Sequence, residues 1–453
     1  MHARRRRLVA LSTAVAAMTL VTAACGSDSD PSSSTSSSAS TDGTTSTNGG
    51  GDSKSLSLLS EWTDGGSATS IAATLKAWNA ANPSTPISQR SIGNEDFATA
   101  SRTAMSGAEP PDILQFEGFA DTADYAKAGK LVDLTSWWNA HKSQFALADS
   151  PGFSRACDHQ GKVYCVPLSA NAQSVLFYNK DILDKYGIAV PKTYDDFLSA
   201  SATLKDKGVI PLAMGDKDGW PGAQLWMTYV AQLCGTTAAD SAVDRTGAKW
   251  TDPCFEKAAQ MVLDLQEKGY FGQGAVSDDY NAMTSLFLAG RAAFISTGSW
   301  FIGSWQTTKP PFNVGAEYMP AINGAAFADD KVAYGGDVVS IPTGGENHAA
   351  ALNFLTFLTS QSQAQVWASN YYFSSVKGAV DATGPAEVKT LYSETATAKN
   401  TLASLDLQLP PAVGQTSLYN LGQSLIGGKT TAEEFGTQLE AAAAKAQGPS
   451  TAK

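Results

Sequence analysis

The sequence predicts an α/β protein of two lobes, with hinge crossings between them and a ligand cleft where they meet. The apolar run Leu56–Leu59 is followed by a glycine-rich turn and by helical spacing over about Ser67–Ala81, which is typical of the opening of an α/β unit. In the stretch Gly161–Asp181, one strand stops, a turn of small residues and amides follows, and a second strand begins. Roughly 400 residues follow the amino-terminal segments, which is enough for two cores.

The amino terminus has the pattern of a processing segment. Arg4–Arg7 are followed by an apolar stretch, Leu8–Val21, and by small residues before Cys25. This order is similar to that of bacterial lipoprotein signals, which implies a signal peptide over 1–24 and a lipid on Cys25. An ordinary cleaved signal peptide and a membrane anchor are the alternatives. Residues 25–53 are rich in Ser, Thr and Gly and predict a disordered tether, so we expect the body outside the cytoplasm, lipid-anchored to the outer face of the cell membrane.

Composition narrows the classes of partner. The formal net charge is −11 even with the amino-terminal arginines included, and a chain this acidic is poorly suited to nucleic acid. After the amino-terminal segment, no stretch of the sequence is long and apolar enough to span a bilayer. The Ala- and Gly-rich, Lys-poor composition favours a high-GC bacterium such as an actinobacterium.

Four cysteines follow the amino-terminal segment, in two pairs that are close in sequence. Because their number is even and the expected location is oxidising, we expect disulfides between Cys157 and Cys165 and between Cys234 and Cys254. A metal site is the alternative. It is disfavoured because the chain has no C-x-x-C motif and only His159 lies near these cysteines.

Three phrases of the sequence carry a family resemblance. The central stretch ends in YNKD and continues as GIAVPKTYDDF. An earlier phrase reads PDI and then YAKAGKLVDL, and a later one, Phe287–Trp300, reads FLAGRAAFISTGSW. Together they closely resemble the extracellular sugar-binding proteins of ABC importers, the group that includes maltose-binding protein. The resemblance covers nearly the whole chain after the tether.

This resemblance implies a two-lobed periplasmic-binding-protein type II fold. The first lobe would comprise residues 54–166 and 336–373, and the second lobe residues 167–335 and 374–447. The phrase Val332–Ile341 would be the second crossing between the lobes, with a flexible point at its paired glycines. A third crossing would lead to the carboxy-terminal helices.

The resemblance also places candidate ligand-binding residues in loops that face the cleft. A pyranose presents a face of C–H groups, which suits an aromatic ring, and hydroxyls, which suit carboxylates and amides. The aromatic candidates are Trp62, Phe116, Trp220, Trp300 and Tyr371. The polar candidates and one glycine are Asp64, Glu117, Asn171, Gln173, Asp218, Gly336 and Asp337.

Several candidates have a purely structural alternative. The tryptophans and Phe116 would otherwise be core residues, Glu117 would be solvated, and Asp64 would cap the helix that follows it. Trp300 belongs to the most specific of the three phrases, in which the family's tryptophan stacks on the ligand.

The implied function is that of the substrate-binding component of an ABC transporter. Such a protein captures a neutral mono- or disaccharide, here of the glucose type, and delivers it to membrane permeases. It would be a monomer without cofactor, bound metal, nucleic-acid partner or enzymatic activity. Glycerophosphodiesters or amino sugars are the alternative ligands on the same scaffold.

Two other classes of function stay open. A surface glycosidase is one, because two convergent carboxylates cannot be recognised from sequence. The sequence contains neither H-E-x-x-H nor G-x-S-x-G, so no complete catalytic motif supports it. An adhesin or structural lipoprotein is the other, and it predicts neither a cleft ligand nor hinge closure.

Overall fold

The computed structural model describes residues 55–63, 65–146, 148, 151–334, 336–379, 384–398 and 400–446. The expected signal peptide, the lipid site at Cys25, the tether and Asp64 lie outside the described residues. Within the described ranges, no helix has the length and apolar character needed to cross a membrane.

The strands divide into two main sheets and a small one between them. In chain order they are β1 (Leu56–Ser60), β2 (Ile87–Ser91), β3 (Ile113–Phe116), β4 (Asp158–His159), β5 (Lys162–Val163), β6 (Val166–Pro167), β7 (Asn171–Ala172), β8 (Val175–Asn179), β9 (Ile210–Ala213), β10 (Ala292–Thr297), β11 (Val314–Tyr318), β12 (Lys331–Tyr334), β13 (Val338–Ser340) and β14 (Thr401–Leu402). The sheets run β2-β1-β3-β13-β6, β11-β8-β10-β9 and β14-β12-β7, and β4 pairs with β5 in a short hairpin.

The helices surround these sheets. In chain order they are α1 (Gly65–Ala81), α2 (Asn94–Ser106), α3 (Ala120–Lys127), α4 (Thr135–His141), α5 (Pro151–Cys157), α6 (Lys180–Tyr186), α7 (Tyr194–Asp206), α8 (Trp220–Asp244), α9 (Pro253–Glu267), α10 (Tyr280–Leu288), α11 (Phe301–Thr308), α12 (His348–Leu358), α13 (Gln361–Ser369), α14 (Ala386–Thr397), α15 (Leu405–Gln408), α16 (Tyr419–Ile426) and α17 (Ala432–Ala446). A 3-10 turn, Lys142–Gln144, follows α4, and a π-helical segment, Ala412–Leu418, precedes α16.

The first lobe is built on the five-stranded sheet. Strand β1 runs parallel to β2 and β3, whereas β13 returns antiparallel between β3 and β6. Helix α1 buries Ile71, Leu75 and Trp78 at helical spacing in the core beneath this sheet, which confirms the predicted helix. Buried residues of α12 and α13 join the same core, so a segment far along the chain completes the first lobe.

The second lobe is built on the four-stranded sheet, whose strands β8 and β10 are buried along their whole length. Such strands are apolar on both faces because helices cover both sides of the sheet. One core lies among α7, α8, α9, α16 and α17, and the other lies among α10, α11 and α14.

Three chain segments connect the lobes, and they meet side by side. The first joins β6 to β7, the second joins β12 to β13, and the third follows α13. The backbone N–H of Leu168 donates to the carbonyl of Asp337 at 2.8 Å, and that of Ala170 donates to the carbonyl of Phe373. Ser169 and Ser374 form an isolated antiparallel bridge. The crossings are thus hydrogen-bonded to one another at the floor of the cleft.

Both disulfides are bonded as expected from the sequence: Cys157–Cys165 ties α5 to the segment directly before β6, and Cys234–Cys254 ties α8 to α9. A capping box at the start of α7 forms between its N-cap threonine and Asp196. Helix α8 is kinked directly after Cys234, because Gly235 has a φ of 73°.

Candidate ligand-binding site

The polar side of the site belongs to the first lobe and is centred on Gln115, at the end of β3. Its amide Nε2 donates to Asp337 Oδ1 at 2.8 Å and to Glu61 Oε1 at 3.0 Å. Its Oε1 in turn accepts from the backbone N–H of Glu61 at 2.8 Å. Gln115 therefore holds two carboxyl groups side by side, one from the loop after β1 and one from the second crossing.

Close approach of these acids changes their protonation. Burial raises the pKa of Glu61 well above its usual value, and the negative charges of Glu117 and Asp337 raise it further. Burial also raises the pKa of Asp337, and hydrogen bonds from Tyr372 and Glu61 oppose that rise. Glu61 and Asp337 are hydrogen-bonded to each other, so the two carboxyls share a proton and titrate together as a pair.

The floor of the site is a hydrogen-bond network on the crossings. Ser169 Oγ accepts from the backbone N–H of Asp337 at 2.8 Å and from Asn171 Nδ2 at 3.3 Å. Asn171 Oδ1 accepts from Ser299 Oγ at 3.2 Å. Gly336 has a φ of 53°, and a Cβ there would lie 1.8 Å from Ser169 Oγ. Only glycine fits at this position.

The aromatic side of the site belongs to the second lobe. Trp220 begins α8, and its ring centroid lies 4.7 Å from that of Tyr280 and 6.1 Å from that of Trp300. The indole N–H of Trp300 donates to the Tyr280 hydroxyl at 3.0 Å. Asp218 Oδ2 accepts from the backbone N–H of Tyr280 at 3.2 Å. The three rings are half-buried, so they present apolar faces at an accessible position.

The carboxy-terminal region adds a second acid held by a tyrosine. Tyr419, at the start of α16, donates its hydroxyl to Asp406 Oδ2 at 2.7 Å. The Ser404 hydroxyl donates to the other oxygen of Asp406, and its Oγ lies 3.3 Å from Gln173 Oε1. The charges of Asp406 and then Glu117 raise the pKa of Tyr419, after burial, which is the largest cause. Glu117 of the first lobe therefore lies close to this group of the second.

One further carboxyl lies behind this group, in the loop before α8. Asp216 is fully buried, and its Oδ1 accepts from the backbone N–H of Gly222 at 2.7 Å. Its Oδ2 has no hydrogen-bond partner. Burial raises the pKa of Asp216 to about 8, so the neutral acid is the favoured form at neutral pH.

Two aromatic candidates from the sequence, Trp62 and Phe116, are more deeply buried than expected for contact residues. Trp62 is 4% exposed and packs edge-on against Trp367 at 4.8 Å, and Phe116 is 3% exposed and packs edge-on against Tyr125 at 6.0 Å. Tyr371 is half-buried and lies against the second-lobe core. Their contact with a ligand stays a prediction.

The remaining candidates are grouped by the fold as follows. Trp220, Trp300 and Asp218 come together on the second lobe, and Asn171, Gly336 and Asp337 come together on the crossings. Gln173 joins the group around Asp406. The role of each in ligand binding also stays a prediction.

Sequence reasoning missed several polar members of these groups: Glu61, Gln115, Ser169, Tyr280, Ser299, Tyr372, Asp406 and Tyr419. Glu61 and Gln115 lie next to residues that were singled out, so their loops were found but not their roles. Tyr280, Asp406 and Tyr419 carry no local signal, because nothing near them in sequence marks a loop that faces the cleft.

The arrangement suits a neutral, hydroxyl-rich ligand. Aromatic faces bind C–H groups, while carboxylates and amides fix hydroxyls. Within the part of the chain that the structure describes, no group of three His, Cys, Asp or Glu side chains has the geometry of a metal site.

Comparison with known proteins agrees with this geometry. Residues 60–365 match the family described as bacterial extracellular solute-binding protein. One relative is a probable sugar-binding periplasmic protein of Mesorhizobium japonicum, which is 26% identical over 57% of this chain and 61% of its own. Another is the melibiose/raffinose/stachyose-binding protein MelE of Bacillus subtilis, which is 24% identical over 60% of this chain and 62% of its own. The matches thus span about three fifths of the length of these relatives.

A solved structure extends the likeness to the whole fold. The bacterial solute receptor AcbH, reported to have an exclusive preference for β-D-galactopyranose, superposes with a TM-score of 0.77. The superposition covers 87% of this chain and 98% of that one at 20% sequence identity. At this identity the likeness establishes the two-lobed fold.

Proposed function

The chain belongs to the family of bacterial extracellular solute-binding proteins, and on that premise we propose that it captures a neutral mono- or disaccharide between its lobes and delivers it to an ABC importer. The observation that carries the proposal is one continuous set of hydrogen bonds. It runs from Asp337 through Ser169 and Asn171 to Ser299, the residue before Trp300. Carboxyl groups and aromatic faces therefore lie at the two ends of one network, as a pyranose requires.

The charges of the site favour a neutral ligand over a glycerophosphodiester. The carboxyls of Glu61, Asp216, Asp337 and Asp406 receive hydrogen bonds from amide, hydroxyl and backbone donors, and among the described residues none comes from Lys or Arg. A phosphodiester brings a negative charge, which such a site would repel. An amino sugar would be tolerated and is the rival ligand.

The size of the aromatic group supports a small sugar. Tyr280 and Trp300 both have ring centroids within 6.1 Å of that of Trp220, which gives stacking faces for about one or two pyranose rings. The names of the relatives include both larger and smaller sugars, since MelE is named for melibiose, raffinose and stachyose and AcbH for galactopyranose. A glucose-type ligand is our proposal within that range.

The cellular setting is proposed from the sequence. The signal-like segment before Cys25 supports a lipid anchor on the outer face of the membrane, and the family supports permease subunits as partners. We also propose a monomer without catalytic activity, from an actinobacterium. The lobe division at 166/167, 335/336 and 373/374 is part of the same proposal.

Thermal-shift measurement on the full-length chain tests the function. The panel is glucose, galactose, melibiose, raffinose, stachyose, glucosamine and sn-glycero-3-phosphocholine. A sugar at about one hundred times its dissociation constant adds about 2.7 kcal/mol to the free energy of unfolding, which is easily measured. A shift with a neutral sugar supports the proposal, and a shift with the phosphodiester alone contradicts the ligand class.

Absence of any shift would remove the main support for solute capture. The same samples are then assayed for hydrolysis of melibiose and raffinose. Product formation would show a glycosidase. The expected result for the whole series is a thermal shift with a sugar and no product. The hydrogen bond that joins Glu61 to Asp337 already argues against these two as an acid–nucleophile pair, because retaining enzymes separate their carboxyls by about 5 Å.

A further inference from the structure

Three side chains, one on each interlobe crossing, are hydrogen-bonded to one another beneath the site. Ser169 is on the first crossing, Asp337 on the second and Tyr372 on the third. Ser169 Oγ accepts from the backbone N–H of Asp337 at 2.8 Å, and the Tyr372 hydroxyl donates to Asp337 Oδ2. Ser169 is also hydrogen-bonded to the Tyr372 hydroxyl. We call these three residues the crossing triad.

The crossing triad leaves Asp337 little freedom. Its Oδ2 is bound by Tyr372, its Oδ1 by Gln115, and its backbone N–H by Ser169. Glu61 also donates to this carboxyl, and because a carboxylate has about four lone-pair sites, capacity for about one ligand hydroxyl remains. Because Ser169 and Tyr372 come from separate crossings, the orientation of the Asp337 carboxyl depends on all three crossings having their present arrangement.

We propose that Tyr372 and Ser169 are positioning residues for sugar binding: they hold the Asp337 carboxyl in the orientation that accepts a ligand hydroxyl. The inference rests on the proposed function and concerns residues that do not themselves need to touch the sugar. Tyr372 is well placed for this role, because its ring is held edge-on by Trp367 at 4.6 Å.

The first test is Tyr372→Phe, which removes the hydroxyl and keeps the ring packed on Trp367. Titration calorimetry on the full-length chain uses melibiose, or the panel sugar that shifts the wild-type melting temperature most. The dissociation constant is expected to rise about tenfold, since a hydrogen bond to a charged group is lost. Tyr392→Phe is the matched control, because its ring packs on Phe373 of the same crossing, and it should bind like wild type.

The second test repeats the substitution in an Asp337→Ala background. If Tyr372 acts through Asp337, Tyr372→Phe has no further effect on the dissociation constant once the carboxyl is gone. The same loss in both backgrounds would show that Tyr372 acts independently, and it would overturn the proposal. Unchanged affinity in the single variant would do the same.

Ser169→Ala tests the other member of the triad, and Ser375→Ala is its control. Both serines are buried on the crossings, but Ser375 Oγ donates to the carbonyl of Pro167 and does not contact Asp337. Ser169→Ala is expected to weaken binding several-fold and Ser375→Ala is not. Equal losses would indicate a general need for intact crossings and would contradict a positioning role.

A measurement without sugar separates this inference from the proposed function. The Tyr372 hydrogen bond lowers the pKa of Asp337 against the effect of burial. Removing the Tyr372 hydroxyl therefore raises the pKa of Asp337. In Tyr372→Phe the melting temperature should keep falling up to a higher pH than in wild type, because Asp337 stays protonated in the folded state up to a higher pH. Superposable melting curves for the variant and wild type across pH would overturn the positioning role. If no panel sugar binds wild type, the proposed solute capture fails. The pH series still decides whether the Tyr372 hydroxyl holds the Asp337 carboxyl.

Discussion

The first lobe contributes carboxyl and amide groups to the cleft, whereas the second lobe contributes aromatic rings together with two acids, Asp218 and Asp406. The groups of the first lobe fix one another: Gln115 holds Glu61 and Asp337 through donors and acceptors of matched geometry. The rings of the second lobe pack on one another, with a single hydrogen bond from Trp300 to Tyr280. Stacking is tolerant of sugar identity and hydrogen bonding is not, so we expect affinity to depend mainly on the second lobe and selectivity on the first.

The largest expected effect comes from removing a ring of the second lobe. Trp300→Ala should weaken sugar binding by about 2–4 kcal/mol, the scale for a buried aromatic anchor. Trp300→Phe is the matched variant and should retain most of the affinity, because it keeps a stacking face. Titration calorimetry measures both. Wild-type affinity in Trp300→Ala would show that the site lies elsewhere.

Loss of either disulfide should lower the free energy of unfolding without changing the order of sugar preference. Replacing Cys234 and Cys254 together by Ser, across a separation of 20 residues, should lower the free energy of unfolding by about 3 kcal/mol. The Cys157–Cys165 bond closes a loop with a separation of 8 residues, and its loss should cost slightly less, about 2.5 kcal/mol. Chemical denaturation measures the free energy of unfolding of both variants. A changed order of sugar preference in either variant would contradict the expectation.

Sugar affinity should depend on pH through Glu61, an acid on the first-lobe side of the site. Glu61 binds its proton more tightly when buried beside Glu117 and Asp337 than in water, so this arrangement of the site is favoured at low pH. That stabilisation is lost as the pH rises from the ordinary value of 4.5 through the raised pKa. Glu61→Gln mimics the protonated side chain and should abolish the decline in sugar affinity that this loss causes as the pH rises.

Calorimetric titration from about pH 5 to about pH 9 provides the measurement for Glu61. Trp220→Phe, on the aromatic side, serves as the comparison and should keep the wild-type pH dependence. An unaltered alkaline decline in Glu61→Gln would assign the pH effect to another acid of the cleft.

The smallest expected effect concerns an ion pair that joins the lobes. Arg155 on α5 of the first lobe donates to both carboxylate oxygens of Asp244 on α8, at 3.0 and 2.6 Å, and its Nε lies 3.5 Å from Asp240. These groups are partly exposed, so the pair should favour this arrangement of the lobes by only about 0.5–1 kcal/mol.

Arg155→Ala should therefore weaken sugar binding about two- to five-fold at low salt and by less at high salt, because salt screens the pair. Arg245→Ala is the control, since Arg245 pairs with Glu440 inside the second lobe at 3.0 Å. Equal effects of the two substitutions on the dissociation constant would argue against a role for the interlobe contact.

Much of the fold was accessible from local sequence patterns. The helical spacing of Ile71, Leu75 and Trp78 predicted α1, and the pairing of cysteines close in sequence predicted both disulfides. The loops after β1 and β3 and the start of α8 were also found. These features depend on residues within about one helical turn or one short loop of each other, so the local sequence contains their cause.

Side-chain direction was not accessible in the same way. Tyr371 and Tyr372 are adjacent, and sequence reasoning chose Tyr371 for the cleft. In the structure it is Tyr372 that bonds Asp337, while Tyr371 lies against the second-lobe core. Phe116 and Glu117 are a similar pair, with the ring in the core of the first lobe and the carboxyl close to Glu61. For Phe116 and Glu117, a one-residue step at the end of an extended strand reverses the side-chain direction. Tyr371 instead has a left-handed backbone, with a φ of 65°, so the chain turns between the two tyrosines.

The sequence by itself determined the family, the two-lobed class of fold, the presence of helix α1 and the disulfide pairs. Only the tertiary structure decided which acids share a proton, which tyrosine binds Asp337, and that Gln115, Ser169 and Tyr372 meet around one carboxyl. The physical reason is the separation in sequence: Gln115 and Asp337 are 222 positions apart. Their contact depends on the pairing of β13 with β3, which brings two distant segments side by side in the first-lobe sheet, and no local preference encodes it.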